Sequence, residues 1–443
     1  MISPKDDYDL VLVNTPALDY SLIKENDQNG VPPLGLGSIA NYCSAKGFKV
    51  LILDADRLRM RPEQIVAEVN GMQTRFVGLN AVSENIKLAY KIASGIRQPV
   101  ILGGIHATLL PEETIQMFPF LYALVMGEGE IPVLKILSGT RKNQVPSLAF
   151  RRGERIVTNP RCEFLDLAKL PPNVNLFETN GEYYLMTSRG CPYNCAFCAS
   201  PVLSQKIVRF IPMKKVIVEM AMAFQKGYTY FHFLDDQFLV SQERTKEFIA
   251  GLRGSGLYGK IGWRGMARAD SVQKMSDELC RQLRESGGDL ISMGIESGCQ
   301  RILQLVHKRT TNGMVKEAVS KLVRNGFRVK GFVILGFPGE THEEMMETRD
   351  LIMDLGEIGM EYFNIAVLRP YPGTEIYYRL LGAGYKPEDI FFEEPTDRDG
   401  VNRRYIHGFY NRLNDEIRIA ELSAGETRKI AKQIIKGFEK KFG

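Results

Sequence analysis

The chain has no strong excess of either charge. Its 57 basic and 52 acidic residues leave a net +5 over 443 residues, whereas a dedicated nucleic-acid binder shows a marked basic surplus. It also lacks a long apolar run. The opening residues, "MISPKDDYDLVLVNTP", contain no basic stretch followed by an apolar one. No membrane span and no signal peptide are therefore expected, which makes a cytoplasmic location the default. Structural disulfides are unusual there, so clustered cysteines read as metal ligands or redox groups. Low-complexity tracts and fixed-period repeats are absent too.

What is present fits a soluble globular protein: 44% hydrophobic residues and 25% charged. The length suits two or three domains. Residues 8–137 alternate short apolar runs with helical patterns. "YDLVLVN" (8–14), "FKVLILD" (48–54), "FVGLNAV" (76–82), "PVILGG" (99–104) and "LYALVMG" (121–127) read as buried strands. "LGLGSIANYCSAKG" and "SENIKLAYKIASGI" read as helices between them. Such alternation predicts a parallel, doubly wound Rossmann-like (flavodoxin-like) α/β domain, with ligands at the carboxyl ends of the strands.

A second alternating block spans about 182–380. Strands are expected at 182–188, 228–234, 260–265, 289–295, 328–336 and 361–368. Six units are too few for a full eight-unit barrel and suit a partial (β/α)6 barrel of the TIM type, again with its site at the strands' C-terminal ends. Residues 143–178, with four prolines and a basic hairpin-like piece, read as a linker. The expected boundaries are thus 1–142, 143–178, 179–388, and a helical cap over the barrel at 389–443.

Three of the seven cysteines fall in "CPYNCAFC" (191–198). A zinc site ordinarily takes four Cys or His ligands, and no second pair follows at knuckle spacing. Cys43, Cys162, Cys280 and Cys299 are isolated, and a lone cysteine is most often a small core hydrophobe. A cubic iron–sulfur cluster takes up to four thiolates; three leave one iron open to a small molecule. The triad directly follows the first strand of the second block, at the expected barrel mouth.

"CPYNCAFC", with Phe197 before the last cysteine, resembles the radical S-adenosylmethionine (SAM) enzymes. The resemblance implies a [4Fe–4S] cluster on Cys191, Cys195 and Cys198 as catalytic metal ligands, with SAM chelating the open iron. Reductive cleavage would give methionine and a 5′-deoxyadenosyl radical. An external donor such as flavodoxin or ferredoxin would supply the electron. In "FLDDQF" (233–238), Asp235, Asp236 and Gln237 stand where the family holds the methionyl amino group, although the family has Gly-Gly-Glu. Clustered acids there also suit a helix N-terminal turn. "WRGMARAD" (263–270) places Arg264 and Arg268 near the third strand's end, and Arg268 matches a carboxylate-binding arginine. Glu296 in "MGIESG" resembles the acid that meets the ribose or amino group. Ile334 and Leu335 in "GFVILGFPGET" match the stretch beneath adenine.

The first block offers no dinucleotide fingerprint: "PPLGLG" is a poor match to G-x-G-x-x-G. "VPPLGLGSIANYCSAKGFKVLILDAD", "PVILGGIHATLLPEE" and "VMGEGE" resemble instead the cobalamin-binding domain of a large radical SAM subgroup. Together with the barrel, the resemblance covers roughly residues 8–390. It implies cobalamin contacts from Thr15, Pro33, Leu34, Asp54, Asn80, Ser83, Gly103, Gly104, Thr108, Gly127, Glu128 and Gly129. Glycines at 103–104 would let the cofactor's tail pass. Residues 14–35 contain no histidine to ligate cobalt, and His106 reads as a hydrogen bonder or surface residue.

These readings imply a cobalamin-dependent C-methyltransferase acting on an unactivated carbon of a small molecule or natural-product intermediate. In that chemistry a methyl passes from SAM to cob(I)alamin and then to a substrate radical. A non-methylating cyclase or ring-rearranging enzyme would use the same motifs. An iron–sulfur redox sensor is the reading from another class. An RNA methylthiotransferase is discounted, since residues 1–140 hold only Cys43. Arg369, Tyr371, Tyr377 and "FYNRLN" (409–414) are expected near the substrate.

Overall fold

The computed structural model describes residues 7–17, 31–174, 176–177, 179, 181–387 and 418–442. The chain forms two compact units, residues 1–179 and 180–443.

In the first unit, five parallel strands are built from the predicted runs: β1 (Asp7–Val13), β2 (Val50–Leu53), β3 (Gln73–Asn80), β4 (Val100–Gly103) and β5 (Ala123–Val125). They lie in the order β2-β1-β3-β4-β5, the flavodoxin-like arrangement, whose switch point falls between β1 and β3. Successive residues of β1 serve opposite faces. Val11 and Val13 pack with Ile65, Ile92 and Val77, while Leu10 and Leu12 pack with Leu36, Ala40 and Ile136. Helices Leu34–Ser44 and Ile86–Gly95 occupy the predicted positions.

The sheet does not end at β5. Two antiparallel strands, β6 (Leu148–Arg152) and β7 (Arg155–Thr158), extend it beyond β5. They lie inside the stretch expected to be linker. Leu148, Ala149 and Phe150 are buried, so the hairpin is part of the first unit's core layer.

The second unit contains six parallel strands in strict chain order: β8 (Glu182–Leu185), β11 (Tyr230–Phe233), β12 (Gly262–Ala267), β13 (Gly288–Glu296), β14 (Arg328–Leu335) and β15 (Tyr362–Val367). A short ribbon, β9 (Ser188–Arg189) with β10 (Arg209–Phe210), brackets the cysteine loop. Along β14, fully buried residues alternate with partly buried ones. Val329, Val333 and Leu335 face the helices, and Arg328, Lys330, Phe332 and Ile334 face the lumen. Helix 342–358 starts at a capping box in which Thr341 and Glu344 bond reciprocally.

The described part of the tail, expected as a helical cap over the barrel, is a helix on the barrel's outer layer. Helix Ala424–Phe442 lies in the outer layer beside β15: Phe438 meets Phe363 edge-on at 5.0 Å, and Gly356 abuts Phe438. Its apolar stripe of Ile430, Ile434, Ile435 and Phe438 supplies the cover that the last strand otherwise lacks. No described helix is long and apolar enough to cross a membrane.

Candidate functional site

The three cysteines follow β8 at the C-terminal end of the barrel strands. Asp235, at the end of β11, fixes where their loop begins. Thr187 donates to it through N–H at 2.9 Å and through Oγ at 2.8 Å, and Ser188 donates through Oγ. Asp235 is 2% exposed; burial raises its pKa against the pull of these bonds. Its oxygens are thus taken by the loop, which corrects the expectation that it holds a methionyl amino group. A carboxylate buried this deeply needs such donors, and it finds them in the adjacent strand's turn. Asp236 is exposed and accepts from Ser200 Oγ at 2.8 Å. Gln237 carries a buried Oε1 with no hydrogen-bond partner among the described residues, an acceptor suited to an ammonium group.

The sulfurs are electrostatic neighbours: Cys191 and Cys195 each feel the other thiols or the charges around them, and Cys198 feels both. Burial pushes all three thiols up, Cys198 to about 12. Among the described residues no three Cys, His, Asp or Glu side chains converge as a single-ion cage. A four-iron cube is wider than one ion and spreads its thiolates further apart. Opposing burial at Cys195 are the charges of Lys308 and Arg268.

Arg268 lies 3.7 Å above the Tyr193 ring centroid, donates from Nε to Asp270 at 2.9 Å and from Nη2 to the Lys308 carbonyl at 2.8 Å. It is 2% exposed, so it is built into the floor of the cysteine loop. Glu296 ends β13 with a left-handed φ of 68° at a bulge, strain of about 1–3 kcal/mol that a functional position commonly carries. Its Oε1 is ion-paired with the buried Lys308 at 2.8 Å. Neither residue was expected to be so engaged. The sequence reading also missed Lys308 and Tyr193; the basic run "HKR" after a short helix was the available signal for the former. Arg264 is not at the strand end: it points into the lumen and pairs with Glu182 at 2.6 Å.

Phe197 packs tilted on Phe337 at 5.7 Å, and Ile334 joins the same apolar cluster. Leu335 is fully buried, leaving backbone as its contribution. Glu340, also missed, accepts from the Gly336 and Phe337 N–H groups at 2.6 and 3.0 Å and shapes this loop. Tyr377 is 4% exposed in the cluster with Ala196 and Phe337, so it is a core residue, not a substrate contact. Arg369 and Tyr371 lie after β15; residues 409–414 fall outside the described ones.

In the first unit, the expected cofactor residues gather at the strand ends. Asn80 Oδ1 accepts from Thr15 N–H at 2.8 Å, and Asn14 bonds both Asn80 and Asp54. These bonds lace the switch point. Among the described residues, the buried Thr15 Oγ1 has no hydrogen-bond partner. Thr108 Oγ donates to the Gly104 carbonyl at 2.7 Å and accepts from Gly127 N–H at 2.8 Å. Gly104 has φ 107°, and a Cβ there would lie 2.4 Å from the Ala81 carbonyl oxygen. At Gly127 a Cβ would meet nothing within 4 Å. The strand ends therefore form a cradle with an orphaned hydroxyl and open space, which fits a corrinoid. Pro33 and Leu34 start helix 34–44, Gly129 abuts Ile39, and Glu128 is half-buried. His106 is 2% exposed, corrects the surface alternative, and bonds Ser83 Oγ through Nδ1 at 2.9 Å. Burial pushes its pKa down to about 4, so it is neutral.

Residues 185–352 match the family model of the Radical SAM superfamily, and residues 20–137 match that of the B12 binding domain. The chain is 28% identical to an uncharacterized methyltransferase of Pyrococcus horikoshii over 78% of each chain. It is 25% identical to the anaerobic magnesium-protoporphyrin IX monomethyl ester cyclase of Rubrivivax gelatinosus, covering 82% of this chain and 68% of the relative. Among solved structures, the radical SAM methyltransferase TsrM of Kitasatospora setae, with cobalamin and a [4Fe–4S] cluster bound, superposes with a TM-score of 0.69. It is 16% identical, over 85% of this chain and 75% of that one; at that identity the likeness concerns the fold.

Proposed function

Because the chain belongs to the radical SAM superfamily and carries a B12-binding domain, we propose that it is a cobalamin-dependent methyltransferase acting on a carbon of a small molecule. The observation that carries this reading is the pairing of two sites in one chain. One is a half-buried three-cysteine loop at a barrel mouth; the other is a glycine-and-threonine cradle at a flavodoxin-type switch point.

Cys191, Cys195 and Cys198 would hold a [4Fe–4S] cluster, which would supply the electron for SAM cleavage, and the strand-end cradle would hold cobalamin, which would supply the methyl carrier. The protein's part is positional and electrostatic. The three thiols must lose their protons to ligate iron, and the Arg268 and Lys308 charges at Cys195 assist there. Asp235 holds the loop's first turn. Gln237 Oε1 offers an acceptor to the methionyl ammonium. Phe197 and Phe337 form an apolar wall that keeps water from the reacting atoms. Thr108 holds two cradle loops together, and the buried, neutral His106 is tied to Ser83 beside them. An external flavodoxin or ferredoxin serves as the electron donor.

The test is anaerobic reconstitution with iron, sulfide and cobalamin, followed by spectra and product mass. Methyltransfer requires bound corrinoid, S-adenosylhomocysteine and a product one methyl heavier. Reconstituted protein that cleaves SAM yet takes up no cobalamin would sink the reading. An unmethylated, rearranged product would favour the cyclase activity named for the Rubrivivax relative.

A further inference from the structure

The barrel lumen holds a polar site that the cysteine loop does not use. Tyr230, Arg264, Leu290, Lys330 and Tyr362, with Glu182 and Arg328, line a cavity of about 410 Å³. They sit in the N-terminal halves of their strands, in one layer: Tyr230 is in register with Glu182, Arg264 with Leu290, and Lys330 with Tyr362.

Most of the charge in this layer is paired. Arg264 meets Glu182 at 2.6 Å, and Arg328 Nε donates to Asp289 at 3.0 Å, where Tyr230 also donates at 2.6 Å. Lys330 is the exception. Among the described residues no carboxylate pairs with it; its nearest recorded partner is the face of Phe332 at 5.4 Å. Burial and the Arg264 charge both push its pKa down. Two further groups stand idle: among the described residues, the buried Arg264 Nε and His232 Nδ1 have no hydrogen-bond partners.

Three cations thus face two carboxylates in and beside this cavity, and the surplus charge lies beside the unused Arg264 Nε donor. A half-buried cation without a counter-charge is costly. Water can solvate Lys330 but leaves the excess charge in place. One monoanion would neutralise the layer. Tyr230 and Tyr362 add flat apolar walls, which suit an organic body more than a bare inorganic ion.

We propose that the lumen binds the carboxylate of an organic acid through Lys330 and Arg264. Resting on the methyltransferase reading, this makes the methyl acceptor an elongated organic acid. Five residue steps of β14, about 16 Å of strand, separate Lys330 from Leu335 at the mouth, so an acceptor held here by its acid would have to span that length to present its reacting carbon there.

The test uses the full-length protein and benzoate, with benzamide as its neutral counterpart, in calorimetric titrations. Benzoate is expected to bind and benzamide not. Lys330→Met should weaken benzoate binding about tenfold or more, the weight of one charge-assisted hydrogen bond, and Lys330→Arg should restore it. Lys330→Gln serves if the methionine variant does not fold. Equal binding of benzoate and benzamide, or binding that neither variant weakens, overturns the site. In the second arm, candidate acceptors are offered to the reconstituted enzyme as acid and amide pairs. Methylation of acids alone supports the acceptor assignment, and equal methylation of amides overturns it. SAM cleavage and cobalamin uptake are scored separately in the wild type. Their loss would sink the methyltransferase reading and leave the benzoate result standing.

Discussion

Glu340 shows how one buried acid couples the mouth loop to pH. It is fully buried; two backbone N–H groups favour its ionised form, yet Oε1 has no partner among the described residues. Burial wins and pushes its pKa up to about 7. The folded value lies above the unfolded one of 4.5, so the folded state takes up the proton more readily. The associated stability is fully present below pH 4.5 and is lost as pH rises through 7. A shift of this size is worth about 3 kcal/mol. Wild type should therefore lose stability between pH 5 and pH 8, and Glu340→Gln should lose much less. Urea midpoints of both proteins at the two pH values check this; parallel losses would remove Glu340 as the cause. Asp235 offers a residue-scale contrast. Its acid was legible as important from its place at a strand end. Its task was not, because only the folded loop shows Thr187 and Ser188 donating to it.

At the scale of elements, the cysteine loop depends on Gly190. Its φ is 95°, and a Cβ would lie 2.2 Å from the Ile207 carbonyl oxygen and 2.8 Å from the Ser204 Cβ. The loop from β9 to the cysteines therefore lies against the chain that enters β10 with no room for a side chain. Gly190→Ala should cost at least about 1–2 kcal/mol from the left-handed backbone alone, and more as Ile207 is pushed away. A lower Tm and less iron per chain after reconstitution are expected; unchanged values for both would contradict this account. The parallel strands were readable because each is an uninterrupted run of Val, Ile, Leu or aromatic residues, as in "LVLV" or "FVIL". The β6–β7 hairpin was disguised. Arg151, Arg152, Glu154 and Arg155 crowd its tip, so its apolar half, Leu148–Phe150, was absorbed into a presumed linker. The tail helix was visible as a helix, but its destination beside β15 depends on the partner face that Phe363 offers.

At the scale of the molecule, the two candidate sites belong to separately cored units. The cradle residues Thr15, Gly104, Thr108 and Gly127 all lie within 1–179, on a sheet packed between its own two apolar clusters. The cysteines, Gln237, Arg268 and Glu296 all lie within 180–443, where Phe337, Ile302 and Leu368 form another cluster. Fold and broad chemistry were legible because each unit announces itself by local pattern. Lys308 and Lys330 were not, since their roles arise only when distant strands are brought together. This separation predicts that the two cofactors load independently. Cys198→Ala should abolish iron loading and leave corrinoid binding intact, because the cradle bonds among the described residues lie within 1–179. Gly104→Ala should displace the Ala81 turn and weaken corrinoid binding while iron per chain stays at the wild-type level. Both are read on one preparation, from iron content and from the corrinoid that survives gel filtration. If either variant loses both cofactors together, the units do not act separately, and each site requires the other to be intact.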